Sequence, residues 1–235
     1  NQVGLLPTRN FSSGSFEHAD IICGEYVRKL IHERGGEGRS GTPCVAGCAI
    51  MCSNVFPNKD GKAIVASIQY ENIVLLGSNL GIGDIDDIAE LNDLCNQVGV
   101  DAIEIGAAIG VAMEAGVIPF GDAEGAKDLI RQIGKGTYLG RILGHGAIAT
   151  GRILGVRRVP AVKGQAIPAY DPRALKGNGV TYVTSPMGAD HTAGNAFETL
   201  KYINPIGREK QVESSRRLQI RAALLDSLGL CLFTR

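Results

Sequence analysis

The chain has 235 residues, 44% of them hydrophobic and 20% charged, which is enough apolar material for one large or two moderate globular domains. Lys plus Arg and Asp plus Glu are equal at 24 each, tryptophan is absent and aromatic residues make up 5%. A neutral, aromatic-poor chain lacks the basic surface and stacking side chains of nucleic-acid-binding proteins. No apolar run approaches the ~20 residues that cross a bilayer. We therefore expect neither nucleic acid nor membrane as a partner.

The six cysteines are too sparse for a disulfide-stabilised scaffold. Free or metal-bound thiols in a reducing compartment match this usage better, so the expected location is the cytoplasm. The first residue is Asn1 rather than Met, and we expect a processed or partial product.

The first part of the chain mixes loops with short regular segments. Apolar residues recur at helical spacing within 18–33, which predicts a helix, and the glycine-rich residues 35–43 predict a loop that presents the cysteines. In residues 62–76 the first half has the pattern of a strand and the second half that of a helix.

Helical signals dominate the rest of the chain. Apolar spacing predicts helices over 85–97, 101–116 and 123–136, one or two shorter ones within 137–155, and a long one over 209–229. Four prolines and several glycines predict an irregular segment over 156–190. The predicted fold is mainly α, with multi-helical domains and long ordered loops. We place the first domain at 1–155 and the second, partial one at 156–235.

The segment TPCVAGCAIMCSN, residues 42–54, carries three cysteines four residues apart: Cys44, Cys48 and Cys52. Such thiols share one helical face or lie in a short loop around a metal, so a disulfide cluster, a zinc site, an iron–sulfur site and small core residues are the alternatives. Zinc commonly uses two close pairs of ligands, and no histidine lies nearby in the sequence, which disfavours zinc. A 4Fe–4S cluster takes four thiolates and often uses three close cysteines and a remote one.

The candidates for a fourth ligand are Cys23, Cys95 and Cys231. Cys23 and Cys95 lie in apolar helical stretches, where burial as a small hydrophobic residue is the usual role. Cys231 instead follows a helix end in DSLGLC (226–231), and NQVGVD (96–101) repeats the pattern of a polar residue, two spacers, glycine, an aliphatic residue and a terminal Cys or Asp. The two copies suggest two equivalent loops that grip two similar chemical groups.

Six segments together resemble the tungsten-containing aldehyde:ferredoxin oxidoreductase family. They are LLPTRNFSSGSF (5–16), PCVAGCAIMCSN (43–54), YENIVLLGSNLGI (70–82), DLCNQVGVDAIEIG (93–106), VKGQAIPAYDPRALKGNGVTYVTSPMGADHTAG (162–194) and DSLGLC (226–231). The resemblance implies a fold like the C-terminal helical domains of that family. It also implies a tungsten bis-pyranopterin cofactor, with molybdenum as a possible metal, and a 4Fe–4S cluster.

The resemblance assigns ligands to both groups. It implies Cys44, Cys48, Cys52 and Cys231 as cluster ligands, and it implies that the two turns bind the pterins through Asn96, Val100, Asp101, Asp226 and Leu230. The chain departs from the family pattern at three points. Asn96 stands where Asp is usual, Val100 stands where Leu is common, and the cysteines are spaced C-x3-C-x3-C rather than C-x2-C-x3-C. An amide still donates and accepts hydrogen bonds at a pterin edge.

Glu71 and His191 match a glutamate and a histidine that lie near the metal in the family. A carboxylate in a dry pocket relays protons, and a histidine polarises or protonates an oxygen. From the sequence alone, Glu71 would more often be a helix-start or surface carboxylate, and His191 a loop residue bonded to backbone.

The resulting hypothesis is an aldehyde oxidoreductase, whole or in part. It would convert small aldehydes into carboxylic acids and pass electrons through the cluster to ferredoxin. The alternatives are a non-catalytic iron–sulfur electron-transfer subunit and a related tungsten enzyme acting on an aromatic thioester. The resemblance also implies a missing N-terminal domain or subunit, without which the chain would be inactive; a homo-oligomer is a further expectation.

Overall fold

The computed structural model describes residues 1–234, and over this range helices form most of the regular structure. They are α1 (Gly24–Arg34), α2 (Tyr70–Leu76), α3 (Ile85–Val98), α4 (Ala102–Glu114), α5 (Ala123–Lys135), α6 (Tyr138–Gly144), α7 (Gly146–Leu154), α8 (Lys176–Thr184) and α9 (Gln211–Ser227). The predicted mainly α class is confirmed. The segment 137–155 holds two helices, α6 and α7.

The strands are short and form two small antiparallel sheets. β1 (Arg39–Thr42), β2 (Ser53–Pro57) and β3 (Ala63–Val65) make one sheet in that order, and β4 (Ala161–Val162) pairs with β5 (Gln165–Ala166). β1 lies in a segment that the sequence predicts as loop. The β1–β2 connection holds all three closely spaced cysteines, so they lie in a hairpin loop and not on a helix.

Aspartates and glycines set the limits of the central helices. Asp84, Asp101 and Asp122 each accept hydrogen bonds from the first turn of α3, α4 or α5, which satisfies amides that have no partner within the helix. Gly99 ends α3 and Gly136 ends α5 in left-handed conformation, which costs glycine nothing because it has no Cβ.

The core is built around α4, whose small residues allow neighbours to approach closely. Residues Ile105 to Met113 are all buried. A Cβ at Gly106 would lie 2.7 Å from the carbonyl oxygen of Leu75 in α2, so the crossing of these helices requires glycine. A second, smaller apolar cluster joins Leu175, the N-cap of α8, and Leu218 of α9 with Leu5 and Ala196.

The apolar residues of α4 are those of a buried core helix. Within residues 1–234 no single helix has the length and hydropathy to cross a membrane. The pair α3 and α4 meets both criteria together but is bent by 114°.

Helix α8 is a correction to the prediction of an irregular segment over 156–190. The sequence KGNGVTYVT contains two glycines and four β-branched residues, which lower helix propensity. Packing explains one of the glycines, because a Cβ at Gly177 would meet the Cβ of Ala196 at 2.6 Å. α8 also packs along α9, where the hydroxyl oxygens of Thr181 and Ser215 lie 2.7 Å apart, and these contacts stabilise a helix that its own propensity does not favour.

Candidate functional site

The fold brings Glu71 and His191 together from distant parts of the chain. Glu71 lies in the first turn of α2, and its Oε1 is 3.3 Å from His191 Nε2. The two side chains are 15% and 21% exposed. Glu71 Oε2 accepts a hydrogen bond from the backbone N–H of Ala169 at 2.7 Å. The contact with His191 is misaligned for a hydrogen bond, so Oε1 is a buried acceptor without a hydrogen-bond partner.

Burial sets the protonation of this pair. Desolvation raises the pKa of Glu71 to about 7, the Ala169 N–H opposes that rise, and the charge of Asp101 adds to it. Desolvation also lowers the pKa of His191 below its usual value, against the opposing charge of Asp190. At neutral pH the histidine is therefore mostly neutral, while the carboxyl group exchanges its proton. That combination is typical of groups that transfer protons.

Aromatic side chains fix the segment that faces Glu71. The Tyr70 hydroxyl donates to the carbonyl of Ala169 at 2.9 Å, while Glu71 binds the N–H of the same residue. The ring of Tyr170 stacks on His191 with centroids 5.3 Å apart and planes at 28°. Tyr70 and Glu71 thus hold the two backbone polar groups of Ala169, on the peptide units before and after it, which places the ring of Tyr170 against His191.

A cavity of about 370 Å³ opens beside His191 and is also lined by Asp101, Glu104 and Asp190. Glu104 is held in place, since its two oxygens accept from the N–H groups of Ala147 and Ala166 at 2.9 and 2.8 Å. Asp190 accepts from the backbone and hydroxyl of Thr192, both at 2.7 Å, so it forms the turn that presents His191.

The segment NQVGVD (96–101) forms the first glycine turn, and its last residue, Asp101, lines this cavity. At the end of α3 the N–H of Gly99 bonds to the carbonyls of Cys95 and Asn96, and the N–H of Val100 bonds to the carbonyl of Cys95. This is a Schellman-type helix end. Asp101 follows and caps α4 through the N–H of Glu104 at 2.7 Å. Asn96 and Asp101 are exposed, and Val100 is half-buried.

The segment DSLGLC (226–231) at the end of α9 forms the second glycine turn, which has the equivalent backbone hydrogen bonds. The N–H of Gly229 bonds to the carbonyl of Asp226, and the N–H of Leu230 bonds to that of Leu225. Cys231 follows, and its Sγ accepts from the N–H of Phe233 at 3.4 Å. Asp226, Leu230 and Cys231 are all exposed.

The closely spaced cysteines face outward from the β1–β2 loop. Cys44 and Cys52 are exposed and Cys48 is half-buried, and all six cysteines of the chain are free thiols. The backbone N–H groups of Met51 and Ile50 lower the pKa of the Cys48 thiol and so favour the thiolate that binds metals. Cys95, in contrast, is fully buried in the core, in agreement with its expected role as a small hydrophobic residue.

A second cavity, of about 680 Å³, connects the cysteine loop with both ends of the chain. Its lining includes Met51 and Cys52 of the loop, Tyr70 at the start of α2, and Phe233, two residues beyond Cys231. The tail that carries Cys231 therefore approaches the loop. Cys23 also lines this cavity, at the N-cap of α1, which departs from its expected place within a helix.

The spacing of the thiols bears on which metal they could hold. A tetrahedral zinc ion with Zn–S bonds of about 2.3 Å draws its thiolates to within about 4 Å of one another. Over residues 1–234, the one group of three candidate ligands whose atoms all lie within 4.8 Å is Asp87, Glu90 and Glu124. The ammonium of Lys127 already lies among those carboxylates. Within residues 1–234 no three thiols lie at this spacing, and the assignment of the loop to a 4Fe–4S cluster rests on the family resemblance.

The fold and the site define a helical scaffold that carries a loop of three thiols and a buried acid–histidine pair. A family model described as "Aldehyde ferredoxin oxidoreductase, domains 2 & 3" matches residues 1–235, so the chain belongs to this family. The family resemblance predicted from the six segments is thereby confirmed.

Individual relatives agree with the family assignment. The tungsten-containing aldehyde ferredoxin oxidoreductases of Thermococcus kodakarensis and Pyrococcus abyssi are each 34% identical to the chain, over 259 and 261 aligned residues. Each match covers 100% of this chain and 41% of the relative, so the chain spans less than half of their length. An aliphatic sulfonate oxidoreductase, WOR-like subunit, of Pyrococcus furiosus is 27% identical over 66% of this chain and 29% of its own.

Sequence reasoning did not identify the residues that hold the acid–histidine pair in place. Tyr70, Ala169 and Tyr170 lie within the matched segments, yet their contacts join parts of the chain about 100 residues apart, at separations of 98 and 99. The one sequence feature that could have indicated these contacts is the dipeptide Tyr70–Glu71, which places two polar side chains on the first turn of the short helix α2.

Proposed function

We propose that this chain contributes the proton-transferring residues and the cofactor-binding turns of an aldehyde-oxidising centre. In the overall reaction an aldehyde and water become a carboxylic acid, with release of two protons and two electrons. A tungsten bis-pyranopterin, with molybdenum as a possible metal, would accept the electrons when bound, and a 4Fe–4S cluster would carry them towards ferredoxin. The observation that supports this most is the buried contact between Glu71 and His191 beside a cavity that the first glycine turn also lines.

The described residues fit these groups. Glu71 Oε1 is a buried acceptor in need of a donor, which a substrate or a water molecule would supply. The two glycine turns have matching hydrogen bonds and expose Asn96 and Asp226 at the same position, so each offers a polar side chain to one pterin. Cys44, Cys48 and Cys52 would hold the cluster together with Cys231, whose tail approaches their loop.

Glu71 and His191 would act on the oxygen atoms and protons of the reaction. The Glu71 carboxylate takes a proton at Oε1 from the water that adds to the aldehyde carbon, since its pKa of about 7 allows it to accept and release protons at neutral pH. Neutral His191, facing Oε1 through Nε2, donates a hydrogen bond to an oxygen or passes the proton outwards. The stacked ring of Tyr170 fixes the plane of the imidazole, and Tyr70 holds Ala169 in place against the carboxylate.

Replacement of Glu71 by Gln tests this role with two measurements. Without an ionisable group, aldehyde oxidation by the complete enzyme should fall ~10²–10⁴-fold, while its tungsten and iron contents are retained. In the absence of any cofactor, the pH dependence of unfolding should also change. The folded protein keeps the Glu71 proton up to a pH of about 7, whereas the unfolded chain releases it near ~4.5. Wild-type stability therefore falls as pH rises between these values, and the Gln variant should lack this fall.

The exposed carboxylate Glu25, which forms no ion pair within residues 1–234, is the matched control when changed to Gln and should alter neither measurement. Full activity in the Glu71→Gln enzyme would sink the proposed catalytic role. Iron and sulfide without tungsten or molybdenum, in protein purified anaerobically as it occurs in the cell, would favour the non-catalytic electron-transfer alternative.

A further inference from the structure

Helix α8 contains two buried polar side chains, Asn178 and Tyr182, one helical turn apart. Asn178 is fully buried and Tyr182 is 1% exposed, and neither lines the cavity beside His191. An asparagine lowers helix propensity, and burial of its amide costs free energy unless the lost hydrogen bonds to water are replaced. The replacement bonds of this pair lead to two segments of the acid–histidine site.

The amide of Asn178 holds the loop that begins at His191. The backbone N–H of Ala196 donates to Asn178 Oδ1 at 2.7 Å. Because a backbone N–H can only donate, it fixes the orientation of the amide. Asn178 Nδ2 then donates to Asn195 Oδ1 and to the Tyr182 hydroxyl, both at 3.2 Å. The amide therefore connects the loop to α8 through both of its polar atoms.

The hydroxyl of Tyr182 extends this connection to the segment that faces Glu71. It donates to the carbonyl oxygen of Tyr170 at 3.2 Å. The Tyr170 ring stacks on His191, and the preceding residue, Ala169, donates its N–H to Glu71. A series of hydrogen bonds through α8 thus joins the two segments whose packing buries the acid–histidine pair.

We propose that Asn178 and Tyr182 are positioning residues, which hold the imidazole of His191 against Glu71 without touching the substrate. This inference rests on the proposed function, because the alignment matters to the reaction only if the pair transfers protons. Loss of these hydrogen bonds would let the Tyr170 segment separate from the His191 loop and admit water to both side chains. Since burial raises the pKa of Glu71 and lowers that of His191, both should then return towards their ordinary values of 4.5 and 6.5.

Tyr182→Phe tests the proposal, because it removes the hydroxyl and keeps the buried ring. Exchange of the imidazole C2 hydrogen for deuterium, followed by mass spectrometry of the complete enzyme, measures the pKa and solvent access of each of the four histidines. His191 should exchange several-fold faster than in the wild type, with a pKa closer to 6.5. The substitution changes no charge beside the imidazole. The ionisable groups that face it or line its cavity are Glu71, Tyr170, Asp101, Glu104 and Asp190.

The reaction itself gives a second measurement. In the Tyr182→Phe enzyme, kcat for aldehyde oxidation should fall about tenfold at unchanged KM, because a small misplacement of a reacting group slows the chemical step. The acidic limb of the pH profile should move to lower pH, since the Glu71 carboxylate forms at lower pH once its pKa falls.

Thr181→Val is the matched control. Thr181 precedes Tyr182 in α8 and is equally buried, but its hydroxyl lies 2.7 Å from that of Ser215 in α9 instead of reaching the site. Its loss should lower stability and leave both the exchange of His191 and the pH profile unchanged. Asn178→Leu preserves the side-chain volume and should change His191 in the same direction as Tyr182→Phe.

Wild-type exchange at His191 in the Tyr182→Phe enzyme, or an equal acceleration in Thr181→Val, would overturn the proposal. The exchange measurement requires no turnover, so it separates this inference from the proposed function. Faster exchange at His191 in Tyr182→Phe, together with full activity in Glu71→Gln, would refute the proposed function and support the positioning role.

Discussion

The two glycine turns share their backbone geometry but differ in their surroundings. In each, the glycine is left-handed, with φ of 78° at Gly99 and 65° at Gly229, and the same two carbonyl positions accept the N–H groups of the glycine and of the next residue. The first turn leaves the buried Cys95 and leads directly into α4. The second is exposed throughout. Local sequence therefore determines the turn, while its environment depends on what packs against it.

The last residue gives each turn its separate role. Asp101 uses its carboxylate to cap α4, and its charge raises the pKa of Glu71. Cys231 at the equivalent position has an exposed thiol whose one hydrogen bond, from the N–H of Phe233, leaves it free to bind a metal. One turn thus connects to the proposed proton-transfer site and the other to the proposed cluster.

The largest effect is expected at this last position. Changing Cys231 to Ser should abolish the 4Fe–4S cluster, because a hydroxyl is a poor substitute for a thiolate ligand. Iron and labile sulfide, measured after anaerobic purification, should fall to background levels. Asp101→Ser changes the equivalent residue of the other turn and should leave iron unchanged.

Cys23 supplies the matched cysteine control, because it lines the same cavity as Cys52 without belonging to the proposed ligand set. Cys23→Ser should keep all iron. If it loses the cluster while Cys231→Ser keeps it, the fourth ligand is Cys23 and the two turns do not divide the work as proposed.

An intermediate effect is expected at the two glycines. A Cβ at either Gly99 or Gly229 finds no atom within 4 Å, so alanine introduces backbone strain alone. That strain is about 1–2 kcal/mol for a left-handed residue. Gly99→Ala should lower the free energy of unfolding in urea by this amount. Gly229→Ala should lower it less, because the exposed end of α9 can open without disrupting the core. Equal losses would show that both turns are coupled to global unfolding.

Much of the helical scaffold follows from local patterns. α3 was predicted over 85–97 because apolar residues recur along it and Gly99 follows as a cap, and the structure has it as Ile85–Val98 with Asp84 as its N-cap. β1 and α8 were missed for the opposite reason. The sequence RSGT has no strand alternation and becomes β1 through pairing with β2, while α8 depends on its contact with α9.

The geometry of the candidate site could not be predicted from local sequence patterns. Glu71 and His191 were selected through family resemblance, and their 3.3 Å contact arises from packing between distant segments. The pKa of Glu71 depends on burial and on the charge of Asp101, neither of which spacing along the chain reveals.

The smallest effect is expected at the first residue of each turn, where Asn96 and Asp226 differ by one charge. Both lie in the last turn of a helix, where the partial negative charge of the helix end repels a carboxylate by about 0.3–1 kcal/mol. Asn96→Asp should therefore lower the free energy of unfolding of the cofactor-free protein, and Asp226→Asn should raise it. Urea titrations at low salt should show opposite signs that converge at high salt, because added ions screen exposed charges. Changes of the same sign in both variants would mean that the two turns differ in electrostatic environment despite their shared hydrogen bonds. In that case Asn96 would not be equivalent to an Asp at the same position in binding a pterin.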